Sequence, residues 1–484
     1  MKPRSSLLCA VLAAAALIGL SACSSGPPPS TAPLAPEMPA QWQAPLPKES
    51  LPHDGQVTAL NQWWQQFNDP LLPRLIDAAQ GVNPTVASAA SRIAQSRATR
   101  AAAGAALLPS LDASANAQRG RSDFVTGLGN TASVGLQAAW EIDLFGGARA
   151  SRDAAQARLD GAQAAWHDAR VALAAEVATN YTSLRACEAQ AEQTRLDVNS
   201  RNETARLTEL STKAGFESPA NAALARASAA QGNSLLTQRR AQCDVLVKGL
   251  VELTAIDEAT LRARLSDGAA RMPQPAEIAI ESVPAQALAQ RPDLRTAERE
   301  WVAASAEVSQ AQAQRLPRIG LNGSISAARF ESGLGNDTGT LWAIGPVTVS
   351  LPLFDGGTRR ANVVAAQARY DEAGMLYRGR LRTAVREVEE ALVALQSTAD
   401  RSTDARIATE GFAQSFRATE ARFKGGLASL YELEDARRSA LQAQINLIDL
   451  QRERSTAWIT LYRALGGGWS NTPHSVAAAG EPTS

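Results

Sequence analysis

Aromatic residues are scarce in this chain, 5 % of 484, although 45 % of its residues are hydrophobic. Alanine supplies much of that apolar content. Large globular cores need bulkier side chains, so thin and elongated packing is favoured. Net charge is missing as well, 48 Lys+Arg standing against 48 Asp+Glu, and no basic stripe runs along the chain as a phosphate backbone would require. Nucleic acid is therefore not an expected partner. Histidine is nearly absent: His53, His167 and His474 have no second metal ligand at useful spacing. No phosphate loop, nucleophile elbow or dinucleotide fingerprint occurs. Enzymatic activity, a resident metal and a dissociable cofactor are not expected. Long apolar runs are lacking too, the stretch Leu7 to Gly19 falling short of the roughly 20 residues with which a helix crosses a bilayer.

That short stretch fits a different use. Lys2 and Arg4 precede it, and Leu20-Ser21-Ala22-Cys23 follows, a pattern that resembles a bacterial lipobox. The resemblance implies cleavage before Cys23 and a covalent lipid on that residue. Ser24 rather than Asp in the next position favours the outer membrane by resemblance to lipoprotein sorting rules. Residues 1–22 are thus read as a lipoprotein signal peptide and residues 23–54, rich in Pro, Ser and Ala, as an acylated tether.

The remainder echoes itself. Pro84 pairs with Pro292 and Pro109 with Pro317 at an offset of 208, Phe145 with Phe354 at 209, and Gly215 with Gly426 at 211. So long a period indicates duplication of a whole structural half, with repeats over residues 55–270 and 271–468 and a disordered C-terminal tail at 469–484. Each half carries two runs of period-two alternation, at about 109–144 and 317–354. In the first half Leu111, Ala113, Ala115 and Ala117 alternate with Asp112, Ser114 and Asn116, and a second set runs from Ala132 to Leu144. In the second half Ile319, Leu321 and Ile325 form one apolar set, and Leu341, Ala343, Val347, Val349, Leu351 and Leu353 the other, with Pro346 and Pro352 indicating bends or an edge. Arg119 to Asn130 and Glu331 to Gly339, rich in Gly, Asp and Asn, read as hairpin loops. Strands of this length suit a tilted bilayer crossing. Four strands cannot close on themselves, however, and an open edge is not tolerated in lipid, so membrane strands here require several chains to share a barrel.

A proline-free segment follows each strand pair, Gly147 to Thr212 and Thr358 to Phe423, with Gly374, Gly379 and Gly411 as candidate bends in the second. Leu381, Val385, Val388, Leu392 and Leu395 step like a coiled-coil seam. After a Lys-x-Gly break each segment returns as a shorter helix, giving helical hairpins at about 147–254 and 358–465. The glycine pairs Gly146-Gly147 and Gly356-Gly357 mark where strand turns into helix without steric conflict.

"WWQQFNDPLLPRLIDAAQ" from Trp63, "RPDLRTAE" from Arg291, both "LF…GG" transitions and "YELEDARRSAL" from Tyr431 together resemble the outer-membrane factor (TolC-like) family, in its lipoprotein efflux branch. The resemblance implies a mixed α/β membrane protein. Long antiparallel helical hairpins would form an α-barrel, and four transmembrane strands per protomer would complete a shared 12-stranded β-barrel in a homotrimer. It implies an exit duct held in outer-membrane lipid and extending into the periplasm, with a periplasmic adaptor and an inner-membrane transporter as partners. A type I secretion duct and a periplasmic coiled-coil adaptor or tether lipoprotein are the alternatives, the alternating strands speaking against the last.

By that resemblance Glu432 and Asp435, three apart on one helix face, are the periplasmic gate candidates, and Gly215, Gly425 and Gly426 mark adaptor-docking tips. The other reading of the two acids is a solvated face paired with Arg437 or Arg438. Cys187 and Cys243 are equidistant from Gly215, so antiparallel helices bring them to one height. A disulfide is expected if their faces meet, and two free thiols otherwise. Phe124, Trp140, Phe330 and Trp342 are candidate interfacial aromatics.

Overall fold

The computed structural model describes residues 63–122, 125–275, 288, 290–332 and 335–467. The lipobox with Cys23, the tether, the C-terminal tail and Phe124 lie outside the described residues. A short 3-10 turn (Trp63–Phe67) leads into α1 (Leu71–Val82), α2 (Pro84–Ala105), β1 (Ser110–Ser122), β2 (Val125–Ile142), α3 (Gly147–Lys213), α4 (Pro219–Thr254) and α5 (Glu258–Ser266). Then come α6 (Pro292–Ala313), β3 (Arg318–Ser332), β4 (Gly335–Ser350), α7 (Thr358–Lys424) and α8 (Leu430–Ala464). Both long helices have 67 residues, and α7 runs unbroken through Gly374, Gly379 and Gly411. None of the described helices is long and apolar enough to cross a membrane.

The chain divides into two compact units. One takes in Arg92–Ala162 and Ala297–Tyr377 and contains the sheet, an antiparallel meander in the order β1-β2-β3-β4. Both ladders extend through the segments expected as loops, Arg119 pairing with Asn130 and Glu331 with Asn336. The expectation fails there because polar side chains on both faces erase the alternation while the backbone hydrogen bonds continue. A register shift between Leu321 and Gly323, opposite Gly345 and Pro346, corrects the expected faces of β4. It leaves Trp342 and Ile344 on the same side as Val347 and Val349, and turns Leu341 and Ala343 to the side of Ser326 and Ser324. One extra residue at a bulge reverses the alternation beyond it. Pro346 sits on an edge strand, as its missing N–H favours. The helices of this unit pack through small residues, Ala154 and Ala157 against Ala303, and Val308 and Ala311 against Ala366.

The second unit holds the remaining described residues. Its core gathers Trp63, Phe67, Leu72, Leu75 and Tyr181 with Leu250, Trp458 and Leu461, Trp63 lying 5.3 Å from Trp458 and Trp64 4.6 Å from Tyr462 between ring centroids. Asp69 caps α1 through the Leu71 N–H at 2.9 Å and accepts the Tyr181 hydroxyl at 2.5 Å. Arg291 reaches Asp293 at 2.9 Å, Glu387 at 2.7 Å and the Ala464 carbonyl at 2.9 Å. The motifs at Trp63 and Arg291 therefore serve packing. Leu381, Val388, Leu392 and Leu395 are buried, with Val385 packed against them, so the coiled-coil seam is real.

Candidate functional site

Each long helix ends where its sequence supplies a residue for left-handed backbone. Gly215 has φ 81° and Gly426 φ 72°. The following N–H in each case reaches back five residues, Phe216 to the Ser211 carbonyl at 2.9 Å and Leu427 to the Arg422 carbonyl at 2.8 Å. Both ends are Schellman motifs, and a side chain at either glycine would be strained. The return helices start on serine caps, Ser218 to the Asn221 N–H at 3.1 Å and Ser429 to the Glu432 N–H at 3.2 Å.

The two predicted acids differ in what they do. Glu432 completes a capping box, its carboxylate accepting the Ser429 N–H at 2.7 Å and hydroxyl at 2.8 Å. The Ser429 N–H, and then its hydroxyl, hold the carboxyl below its ordinary range. Asp435 is exposed and makes no hydrogen bond or ion pair among the described residues. Neither meets Arg437, whose partner is Glu434, the residue just before Asp435.

Glu434 and Arg437 belong to a buried network that sequence reasoning missed. Arg201 of α3 holds Asp197 at 2.7 Å and Glu434 at 3.1 Å, and the Ser228 hydroxyl of α4 donates to Glu434 at 2.7 Å. Arg437 donates to Ser200 at 3.1 Å and Thr204 at 2.9 Å and lies over the Phe416 ring. Burial pushes the Asp197 carboxyl up despite its bond to Arg201. Towards the tips, Ala225, Leu430 and Leu433 form an apolar cluster with Phe416 and Phe423 packed on it. Two carboxylates thus face two guanidiniums and fasten one hairpin to the other. A signal was available in the sequence: Leu430, Leu433, Arg437 and Ala440 step by three and four, so a cation occupies a seam position. All four are buried.

At the strand-to-helix transitions, Gly146, Gly356 and Gly357 have φ of 78°, 64° and 88°. Gly147 is needed for a different reason, since a Cβ there would stand 3.2 Å from the Ala313 Cβ. An acid caps each helix start, a role the sequence reading did not assign. Asp143 accepts the Ala148 and Arg149 N–H groups at 3.1 and 2.9 Å, and Asp355 those of Gly357 and Arg359 at 3.0 and 3.1 Å. Burial pushes Asp143 up, but the N–H groups of Arg149 and Ala148 outweigh it and hold the carboxyl below its ordinary value. Cys187 and Cys243 are joined as a disulfide across α3 and α4, Cα–Cα 5.5 Å. Trp140 donates its indole N–H to the Leu107 carbonyl at 3.0 Å.

The sequence matches the outer membrane efflux protein family over residues 75–255 and 283–467. It is 31 % identical over 415 residues to the outer membrane protein OprJ of Pseudomonas aeruginosa, covering 84 % of this chain and 86 % of that one. It is 30 % identical over 428 residues to the solvent efflux pump outer membrane protein SrpC of Pseudomonas putida, covering 86 % and 89 %. Among solved structures, the outer-membrane channel OprN aligns with a TM-score of 0.77 at 25 % identity over 89 % of this chain and 98 % of that one. The helix-rich chain with its small sheet has the TolC-like channel fold and belongs to the outer membrane efflux protein family, whose members serve efflux systems as their outer-membrane channel component.

Proposed function

We propose that three copies of this chain close one 12-stranded barrel in the outer membrane and continue it as a helical duct in the periplasm. The observation that carries this reading is the pair of unpaired edges. β1 and β4 are both terminal in the sheet, and the face bearing Leu136, Ile325, Trp342 and Val349 is exposed. Lipid could cover that face, but nothing in lipid satisfies open backbone edges.

Corresponding positions in the two halves support the same arrangement. Where β2 turns into α3, Gly147 lies against Ala313 of the α6–β3 junction. Its counterpart Gly357 has no neighbour within 4 Å, and Leu353 and Phe354 beside it are 89 % and 93 % exposed. Leu108, at the junction of α2 and β1, is 68 % exposed. The two uncovered junctions lie on opposite edges of the sheet, as a head-to-tail ring requires. An internal duplication explains why they correspond.

In this reading the hairpin tips around Gly215, Gly425 and Gly426 receive a periplasmic adaptor. An inner-membrane transporter supplies the energy, and lipid on Cys23 adds a second hold on the membrane. Asp435, repeated three times around the axis, gives the entrance a ring of carboxylates that attracts cations and resists close approach. Glu432 supports it by fixing the start of α8. The cargo class in this reading is small molecules, and SrpC is named for a solvent efflux pump. Reconstitution in planar bilayers tests the reading: a cation-preferring channel from an unheated, SDS-resistant trimer is expected, and a monomer without conductance would overturn it.

A further inference from the structure

The sheet distributes its arginines unequally between its two faces. Cross-strand partners share a side, so the register sorts every strand residue. One face is apolar from Ile142, Ile319 and Val349 at the helix end, through Leu136, Ile325 and Trp342, to Val134 and Ala327. The next row towards the hairpin turns holds Ala117, Ala132, Arg329 and Thr338; beyond it lie Arg119, Asn130, Glu331 and Asn336, then Arg121 with Leu128. At the same heights the opposite face carries Gln118, Thr131, Phe330 and Asp337, and no cation. From Ile142 to Ala132 is ten residues, about 33 Å along the strand and roughly 25 Å of height at a 40° tilt, the thickness of a lipid-facing apolar band. The arginines begin where that band ends.

Their charge is mostly uncompensated. Glu331 is the one acid in these rows and is held by Arg329 at 2.5 Å. Arg119 and Arg121 are exposed and have no hydrogen-bond or ion-pair partner among the described residues. Among the described residues, three cations less one anion leave two positive charges per chain on a face whose neighbouring rows are hydrocarbon-like. Long guanidinium side chains reach upward from such a position while their stems stay on apolar surface, and the planar fork matches phosphate oxygens.

We propose that Arg119, Arg121 and Arg329 bind the phosphate groups of an anionic outer-leaflet lipid whose acyl chains lie along the apolar rows below. The inference rests on the reading of the sheet as a membrane barrel with its hairpins outward. Anionic headgroup above hydrocarbon is the one ligand whose two parts match cation above apolar surface at this spacing.

The test is native mass spectrometry of the detergent-solubilised trimer with diphosphorylated lipid A, with the same lipid after dephosphorylation, and with inorganic phosphate. The unaltered protein is expected to prefer the phosphorylated lipid about tenfold or more, the size of one charge-assisted hydrogen bond. Arg119→Gln with Arg121→Gln and Arg329→Gln should abolish that preference, whereas Arg206→Gln, on an exposed face of α3, should keep it. Equal retention by the triple variant, or displacement by millimolar inorganic phosphate, would overturn the proposal. Carbonate extraction of the membrane-bound protein separates the two claims: release into the wash defeats the barrel reading, whereas a lost phosphate preference in a resistant protein defeats only the lipid site.

Discussion

Replacing Glu434 by Gln isolates the buried network near the hairpin tips. The Glu434 carboxylate accepts from Arg437, from Arg201 and from Ser228. The substitution keeps the shape and removes the charge. The Gln amide oxygen can answer only one side of the cluster, so its NH2 opposes either Arg437, whose side chain is 2 % exposed, or the Arg201 and Ser228 donors, and Asp197 would be the sole carboxylate left. Breaking a buried pair costs about 3–5 kcal/mol. Asp197 remains to answer part of the field, so the low end applies, about 3 kcal/mol or roughly a hundredfold in a local opening equilibrium. Hydrogen exchange on the detergent-solubilised trimer reads this directly. Amides of 430–440 and 200–208 should lose about two orders of magnitude of protection, while those around Tyr181 in the tryptophan core stay unchanged. Glu203→Gln is the control, because Glu203 and Arg206 form an exposed pair that solvent screens. Glu434→Leu combined with Arg437→Met should restore most of the protection, apolar replacement of both partners being close to neutral. If Glu434→Gln exchanges like Glu203→Gln, the network does not fasten the hairpins and the reasoning fails.

Asp435→Ala should weaken cation preference by removing the ring of carboxylates, whereas Glu432→Gln should chiefly fray the start of α8; unchanged cation selectivity in Asp435→Ala would remove Asp435 from the entrance. Asp143→Ala should cost about 1 kcal/mol at the start of α3, seen as roughly fivefold faster exchange of the first-turn amides. The folded carboxyl of Asp143 lies below its ordinary value of 3.8, so its contribution is complete above that pH and fades as pH falls through the lowered value; Asp143→Asn should lack this acid dependence. Cys187 and Cys243 stand 56 residues apart, for which chain entropy gives a ceiling of about 4 kcal/mol. Replacing both by Ser should lower the melting temperature, and non-reducing peptide mapping should recover the linked pair.

Much of this architecture was legible because the chain marks its own boundaries. Lys-x-Gly sets the ends of α3 and α7, Pro219 the start of α4, and the absence of proline across α3 and α7 their length. The β4 faces were misread because alternation carries no record of a bulge, and two apolar residues, Leu341 and Ala343, appeared to continue the series. The outer parts of the hairpins were misread because Gly, Asp and Asn mark loops by composition, while the ladder depends on backbone groups that composition does not report. Spacing brought out Glu432 and Asp435 as neighbours on one face. It could not distinguish a capping carboxylate from a free one, since that depends on where Ser429 points. Arg437 entered only as part of a solvated face, because a charge within a helix usually faces water, whereas it is buried on Glu434.

Barrel closure by a second copy is the claim on which the account stands, and the repeat supplies a register for it. Across β2 and β3, Trp140 faces Leu321. Offsets of 209 and 208 carry that pair to Val349 and Ala113 of the neighbouring protomer. Val349→Cys together with Ala113→Cys should therefore oxidise into a covalent trimer on non-reducing gels while each single variant stays uncrosslinked. If Val349→Cys crosslinks with none of Leu111→Cys, Ala113→Cys or Ala115→Cys and the protein runs as a monomer, β4 does not meet β1 of another copy and the shared barrel is wrong.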